Sequence, residues 1–153
     1  MPHPTPTPQV EESYVLSFTH SLWNAFNQLP AWLLLSLGAC LGAFARYGFT
    51  RFFALEWQGI LGINLLGCLG FGIGLGLTIA LPDRFGTPAF RLFFLTGCMG
   101  AMTTFSSYMF NVYQALTTTN PPAWGTLILN IILQHSVGLA LLALGVWMVP
   151  RLL

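Results

Sequence analysis

The stretch TGCMGAMTTFSSYMF, residues 96–110, places two glycines and five hydroxyl-bearing residues within its first twelve positions, in a chain that is otherwise strongly apolar. It lies in an apolar segment, residues 88–116, which would measure roughly 43 Å as one helix, against about 30 Å for the hydrocarbon core of a bilayer. A break near the centre would shorten this segment, and Gly97 and Gly100 are expected to permit the unwinding there. Such a break marks a wet cavity or a small-ion site, although the hydroxyls could equally bond back to carbonyls of an unbroken helix.

The composition indicates an all-α membrane protein. Of the 153 residues, 55% are hydrophobic and 6% are charged, whereas soluble domains carry about 25% charged residues. The formal net charge is +1 and the chain has no lysine, so it offers no basic patch for nucleic acid. Cys40, Cys68 and Cys98 are far apart, which favours small core residues over a disulfide set or a metal site.

Apolar runs predict a four-helix transmembrane domain over residues 30–153. The predicted spans are 31–55, 59–81, 88–116 and 122–149, and tryptophans at 32, 57, 124 and 147 lie near their ends, as the headgroup layer favours. Residues 1–29 form a polar N-terminal extension. Its proline-rich residues 1–12 are expected to be mobile, and the apolar spacing between Tyr14 and Leu29 predicts an amphipathic helix on the membrane surface.

The arginines are nearly balanced between the two sides of the membrane. With four spans, one side holds Arg84, Arg91 and Arg151, and the other holds Arg51 and Arg46. Basic residues in short loops determine orientation, so this balance is compatible with insertion both ways and antiparallel pairing.

Glycines four residues apart recur in the first two spans, at 38 and 42, 70 and 74, and 72 and 76. Small residues at this spacing let helix backbones approach closely. The sequence leaves open whether these glycines pack within one protomer or form a dimer face.

Three segments carry a family resemblance: GACLGAFARYGFTRFF from Gly38, GILGINLLGCLGFGIG from Gly59, and GCMGAMTTFSSY from Gly97. They resemble the signatures of the Fluc (CrcB) fluoride channel family, over about residues 33–149. The resemblance implies a passive, fluoride-selective channel that exports fluoride from the cytoplasm and reduces its toxicity. It also implies a plasma-membrane location (the inner membrane in a Gram-negative cell) and an antiparallel, dual-topology homodimer whose third helix is broken at its centre.

The resemblance assigns a fluoride pathway. Asn64 matches a pore-lining asparagine, whose amide could donate to dehydrated fluoride; the alternative is an interhelical hydrogen bond. Phe105 and Tyr108 match paired phenylalanines whose positive ring edges face the anion. Ser106 and Ser107 match the hydroxyl pair beside them.

Arg46 matches the arginine that ends the first helix, where it could attract anions or simply anchor at the interface. The implied cofactor is a structural sodium ion at the dimer interface, held by backbone carbonyls of Gly100 and Thr103 from both protomers. The implied partners are fluoride, the lipid bilayer, and a second copy or a paralogous subunit.

The sequence departs from the family pattern at four positions of the third span. The family usually has glycine at Ala101, threonine at Ser107, phenylalanine at Tyr108 and glutamate at Asn111, so these residues bear on the conduction rate.

Two other functions are compatible with a small membrane protein of four helices. Small multidrug-resistance exporters depend on a membrane-embedded glutamate in the first span, and residues 31–49 contain none. A non-conducting paralogue or scaffold subunit is the other alternative. An enzyme is not expected, because paired carboxylates, an activated nucleophile and a metal-ligand cluster are not found in the sequence. His135 could relay protons or form hydrogen bonds within the bundle.

Overall fold

The computed structural model describes residues 8–118 and 124–153, and the regular secondary structure in these two ranges is entirely helical. The prediction of an all-α protein is therefore confirmed for this part of the chain. The proline-rich residues 1–7 and the predicted start of the fourth span at Pro122 lie outside the described residues.

Nine α-helices and two π-helical segments follow one another along these ranges. In chain order they are α1 (Pro8–Asn27), α2 (Ala31–Thr50), α3 (Glu56–Ala80), α4 (Pro82–Phe85), α5 (Pro88–Phe90), π1 (Arg91–Met99), α6 (Gly100–Met102), α7 (Phe105–Thr117), α8 (Trp124–Ile132), π2 (Leu133–Val137) and α9 (Gly138–Leu152). Segments α5, π1 and α6 join end to end, as do α8, π2 and α9.

Three helical stretches in the described ranges are long and apolar enough to cross a membrane: Ala31–Thr50, Glu56–Ala80 and Trp124–Leu152. The first ends earlier than predicted, at Thr50 rather than at residue 55. The Thr50 hydroxyl donates to the carbonyls of Arg46 at 3.0 Å and Tyr47 at 3.1 Å, and the Arg51 N–H donates to Gly48 O at 3.3 Å. This i to i+3 bonding tightens the last turn and ends the helix.

Helix α3 is the centre of the bundle, and glycines on opposite sides let its neighbours come close. A Cβ at Gly72 would meet the backbone of Leu142 in α9, and one at Gly145 would lie 2.6 Å from Ile73 N. On another face, a Cβ at Gly70 would lie 2.6 Å from Met99 Sδ of π1. Van der Waals packing between close backbones is what holds helices together in lipid.

Helix α2 packs on π1 in the same way. A Cβ at Gly38 would meet the carbonyl of Phe93, and one at Gly97 would lie 2.9 Å from Leu35 O. The question left open by the sequence is thus answered for the glycine pairs: those of both spans pack within one protomer.

Helix α1 is attached to the bundle by aromatic rings. The Trp23 ring lies 6.0 Å from that of Phe85, and the Phe26 ring lies 5.5 Å from that of Phe93, both edge to face. The predicted helix in the N-terminal extension is present, and it starts at Pro8, earlier than predicted.

Candidate ion pathway

The helical path is interrupted between α6 and α7 at two residues. Thr103 has φ −80° and ψ 151°, and Thr104 has φ −146° and ψ 113°. β-branched residues accept extended backbone readily. Gly97 and Gly100, which we expected to permit unwinding, are instead helical. Gly97 serves close packing against α2, so the expectation for the two glycines was wrong.

Asn64 of α3 holds the interruption in place. The Thr104 N–H donates to Asn64 Oδ1 at 2.8 Å, and Asn64 Nδ2 donates back to the Thr104 carbonyl at 3.3 Å. The same Nδ2 donates to Gln134 Oε1 of π2 at 3.0 Å. Asn64 therefore joins three helical segments, and the interhelical hydrogen bond weighed for it from the sequence is present.

The Thr104 hydroxyl caps the start of α7. Its Oγ1 accepts from the Ser107 N–H at 3.3 Å, which satisfies one of the free donors at a helix N-terminus. Oγ1 donates to Ser107 Oγ at 3.2 Å and lies 3.3 Å from Ser106 Oγ. Since Thr104 has one hydroxyl proton, Ser106 donates to Thr104, and the Ser107 proton is left for another acceptor.

Two rows of polar side chains continue from this junction. On α7 and its C-cap the row has the spacing of one helix face; on α8 and π2 the polar residues recur every fourth position. The first row is Thr104, Ser107, Asn111, Gln114 and Thr118, and the second is Thr126, Asn130 and Gln134. A cavity of about 340 Å³ lies between the two rows and is also bordered by Glu56. The polar residues that line it are Asn111, Gln114, Thr118, Thr126 and Asn130.

Buried polar atoms without partners lie along these rows. Among the residues that the structure describes, Asn111 Nδ2, Asn130 Oδ1 and Gln134 Nε2 have no hydrogen-bond partner. Asn111 is 8% exposed and Asn130 is 4% exposed. An unsatisfied buried polar group costs about 1–3 kcal/mol, so three in one corridor indicate a site that takes a polar ligand or water.

The sequence reading missed Thr126 and Asn130 and gave Gln134 no role in the pathway. The available signal was the four-residue spacing of three polar residues in an otherwise apolar span, which places them on one helix face.

The remaining candidate residues divide between the interior and the surface. Tyr108 is 4% exposed and Phe105 is 70% exposed, with their ring centroids 5.9 Å apart. The Tyr108 ring also lies 6.0 Å from that of His135, whose Nδ1 is 2.8 Å from Ile131 O of its own helix. Arg46 is half-buried near the end of α2, and the hydrogen bonds within the described ranges do not connect its side chain to Asn64 or to α7.

The carbonyl of Gly100 does not make its regular helical hydrogen bond. Its usual helical partner would be the Thr104 N–H, which donates to Asn64 instead. The Thr103 hydroxyl lies 3.4 Å from Gly100 O, but its shorter bond goes to Met99 O at 3.1 Å. Gly100 is exposed on the protomer. Neutral carbonyl oxygens suit a hard cation, and His, Cys, Asp and Glu form no metal-binding cluster in the described residues.

Together, the apolar helices and the buried polar groups between them define a helical membrane protein whose interior suits a small polar solute or ion. The chain belongs to the CrcB family: the family model described as "CrcB-like protein, Camphor Resistance (CrcB)" matches residues 33–146. The resemblance seen in the sequence is confirmed.

Curated relatives are similar over most of their length. A protein of Maridesulfovibrio salexigens named "Fluoride-specific ion channel FluC" is 38% identical over 120 residues, which cover 74% of this chain and 90% of the relative. A protein of the same name from Haemophilus influenzae is 36% identical over 127 residues, which cover 78% of this chain and 92% of the relative. Another from Chloroflexus aurantiacus is 37% identical over 106 residues, which cover 65% of this chain and 82% of the relative.

Proposed function

We propose that this protein is a passive, fluoride-selective channel that exports fluoride across the plasma membrane and so reduces its toxicity. The observation that carries the proposal is membership of a family whose curated relatives are named fluoride-specific channels. This membership favours the channel over an enzyme, a drug exporter or a scaffold.

Neutral donors along the corridor suit the proposed ion. Fluoride is small and strongly hydrated, so a path must replace its water with fixed hydrogen-bond donors, yet bind weakly enough for the ion to leave. The Ser107 proton and the Asn111 amide can supply such donors without a fixed charge. The Asn111 amide stands where the family usually has a glutamate, and a neutral amide does not repel an anion.

Aromatic edges complete the proposed pathway. The edge of a phenyl or phenol ring carries the positive part of its quadrupole, so Tyr108 inside the bundle and Phe105 at the protomer surface can both contact an anion. The exposure of Phe105 supports a pathway that lies partly between protomers. Arg46 is proposed to raise the local anion concentration near the end of α2.

For the assembly, we propose four membrane spans, with residues 88–117 as an interrupted third span, and an antiparallel homodimer of copies inserted both ways. Single cysteines at either terminus should then be labelled from both sides of the cell membrane. Two lysines added near Arg151 should move that end toward the cytoplasm. Labelling of each terminus from one face alone, in the protein without added lysines, would contradict dual topology.

We further propose that the segment from Gly100 to the interruption, where Gly100 is exposed, meets its symmetry mate on the dimer axis, and that the carbonyls of Gly100 and Thr103 would hold one sodium ion there. The cation would offset the repulsion between converging carbonyl dipoles. Its role would be structural.

Fluoride efflux from liposomes containing the purified protein tests the function. Fluoride should leave at a rate proportional to protein content, and chloride should leave much more slowly. Equal rates for the two ions would refute selectivity, and no flux above that of protein-free liposomes would refute the channel.

A further inference from the structure

We propose that the groove between α1 and α4 binds one phospholipid whose headgroup carries both a phosphate and a primary ammonium group, as in phosphatidylethanolamine. The site is separate from the proposed ion pathway. Helix α1 also lies outside residues 33–146, the part of the chain that the family model matches.

The groove has the size and the lining of a site for an amphiphile. Its volume is about 680 Å³, and small-molecule sites measure about 300–1,000 Å³. Helix α1 supplies an apolar wall and α4 supplies two charges. The apolar residues are Leu16, Leu22, Trp23 and Phe26, and the polar residues are Thr19, His20, Asp83 and Arg84.

Aromatic and backbone contacts hold the two walls in place. The Trp23 ring of α1 lies 6.0 Å from the Phe85 ring of α4, edge to face. The Phe85 N–H donates to Leu81 O and the Gly86 N–H donates to Pro82 O, each at 2.8 Å. Because the short turn of α4 is closed by its own hydrogen bonds and is packed on α1, the groove is preformed.

The two charges of the groove are opposite in sign and have free side chains. Asp83 and Arg84 are exposed, and across residues 8–118 and 124–153 neither side chain forms a hydrogen bond or an ion pair. The Arg84 guanidinium lies 5.8 Å from the centre of the Phe85 ring, which leaves its N–H groups available.

One charge of each sign complements a zwitterionic headgroup. A guanidinium donates pairs of hydrogen bonds to phosphate oxygens, and a carboxylate accepts from an ammonium group. A headgroup with a phosphate alone would leave Asp83 unpaired beside an anion. A choline headgroup has no N–H to donate to Asp83, so the primary ammonium fits best.

The position of the groove is that of a lipid headgroup. Helix α4 begins directly after α3, which is long and apolar enough to cross a membrane, so α4 lies at the membrane surface. Tyr14, Phe18 and Leu22 are exposed and four residues apart, which forms an apolar face on α1. Lipid chains cover such a face on an interfacial helix. Leu22 also lines the groove, so the chains of a bound lipid can follow this face outward.

The test uses the delipidated full-length protein in detergent and three phospholipids with identical palmitoyl and oleoyl chains. Their headgroups are phosphoethanolamine, phosphocholine and phosphoglycerol. Mass spectrometry of the intact complexes gives the concentration at which half of the protomers carry one lipid. This concentration should be about 10-fold lower for the phosphoethanolamine lipid, the effect of one further hydrogen bond between charged groups.

Two variants separate the roles of the charges. Arg84→Gln removes the phosphate donor and should weaken binding of the phosphoethanolamine lipid by about 10-fold. Asp83→Asn leaves a positive groove and should shift the preference to the phosphoglycerol lipid. The matched control is Arg51→Gln, because Arg51 also lies beside an aromatic ring, 5.7 Å from the centre of Tyr47, but away from the groove. It should bind lipid like the original protein, and melting temperatures verify that all variants are folded.

Equal binding of the three lipids by the original protein would overturn the proposal, as would unchanged binding in a folded Arg84→Gln variant. Free phosphoethanolamine, which lacks the chains, should not displace the lipid at equal concentration; displacement would indicate a soluble ligand and overturn the lipid assignment. A protein that selects the lipid but conducts no fluoride would refute the channel function alone. A conducting protein without lipid selectivity would refute the lipid site alone.

Discussion

Replacing Asn64 by aspartate should nearly abolish fluoride flux while leaving the protein folded. The change is isosteric and keeps the oxygen that accepts from the Thr104 N–H at 2.8 Å. It converts the nitrogen that donates to the Thr104 carbonyl into a second oxygen. Gln134 can turn its amide to donate to the new carboxylate.

The magnitude follows from these contacts. Loss of the Asn64 to Thr104 carbonyl bond costs about 1–3 kcal/mol of stability, offset in part by the new bond from Gln134. A unit negative charge about 4 Å from the anion raises its energy by about 4 kcal/mol at an effective dielectric constant of about 20. At about 1.4 kcal/mol per tenfold, flux should fall roughly 1,000-fold.

A fluoride electrode outside loaded liposomes measures the flux, and thermal unfolding in detergent measures the fold. Asn24→Asp makes the same chemical change on the exposed face of α1 and should leave flux unchanged. Flux within about 2-fold of the original protein in a folded Asn64→Asp variant would refute the reasoning about the junction.

Substitutions at three further positions, each with a control variant, test the close helix packing, the cap of α7 and the proposed sodium site. Gly72→Ala places a Cβ against the backbone of Leu142 and should destabilise the protein by about 1–3 kcal/mol in thermal or denaturant unfolding. The control is Gly48→Ala, whose Cβ would lie in open space, and it should be neutral or stabilising. Equal effects of the two substitutions would contradict the close α3–α9 packing. Thr104→Val removes the cap of α7, which should lower the free energy of unfolding by about 0.5–2 kcal/mol and also lower the fluoride flux. The control is Thr117→Val at the far end of α7, which should do neither. A Thr104→Val protein as stable and as active as the original would exclude a role for the cap. Thr103→Ala should preserve a sodium-stabilised dimer, as measured by cross-linking with and without sodium. Thr103→Pro removes the N–H that donates to Met99 O at 3.1 Å and should lose both the dimer and its sodium dependence. Retention of both in the proline variant would count against the carbonyl site.

Most of the helical layout could be predicted from composition and periodicity. Long apolar runs must hide their backbone polar groups in lipid, and a helix does so within one segment. The fourth span, bounded by Trp124 and Trp147, is accordingly one uninterrupted helical stretch from Trp124 to Leu152. The boundaries were less accurate: α2 ends at Thr50, inside an apolar run, where the backbone changes to i to i+3 bonding from the Arg51 N–H to Gly48 O.

The candidate site could be predicted only in part. The residues named from the family resemblance include Asn64, Thr103 and the hydroxyls of α7, all of which lie at or beside the interruption. The role of the glycines was misjudged, because a glycine that permits unwinding and a glycine that permits close packing look identical in sequence. Contact with α2 decides the matter for Gly97.

The sequence by itself determined that this is a helical membrane protein of the CrcB family, because apolar run length and local motifs are properties of contiguous residues. The tertiary structure decided which polar groups meet. Asn64 forms hydrogen bonds with Thr104 and Gln134, which lie 40 and 70 positions further along the chain. Only the packing of α3 against both partners determines which amide proton of the junction is left free.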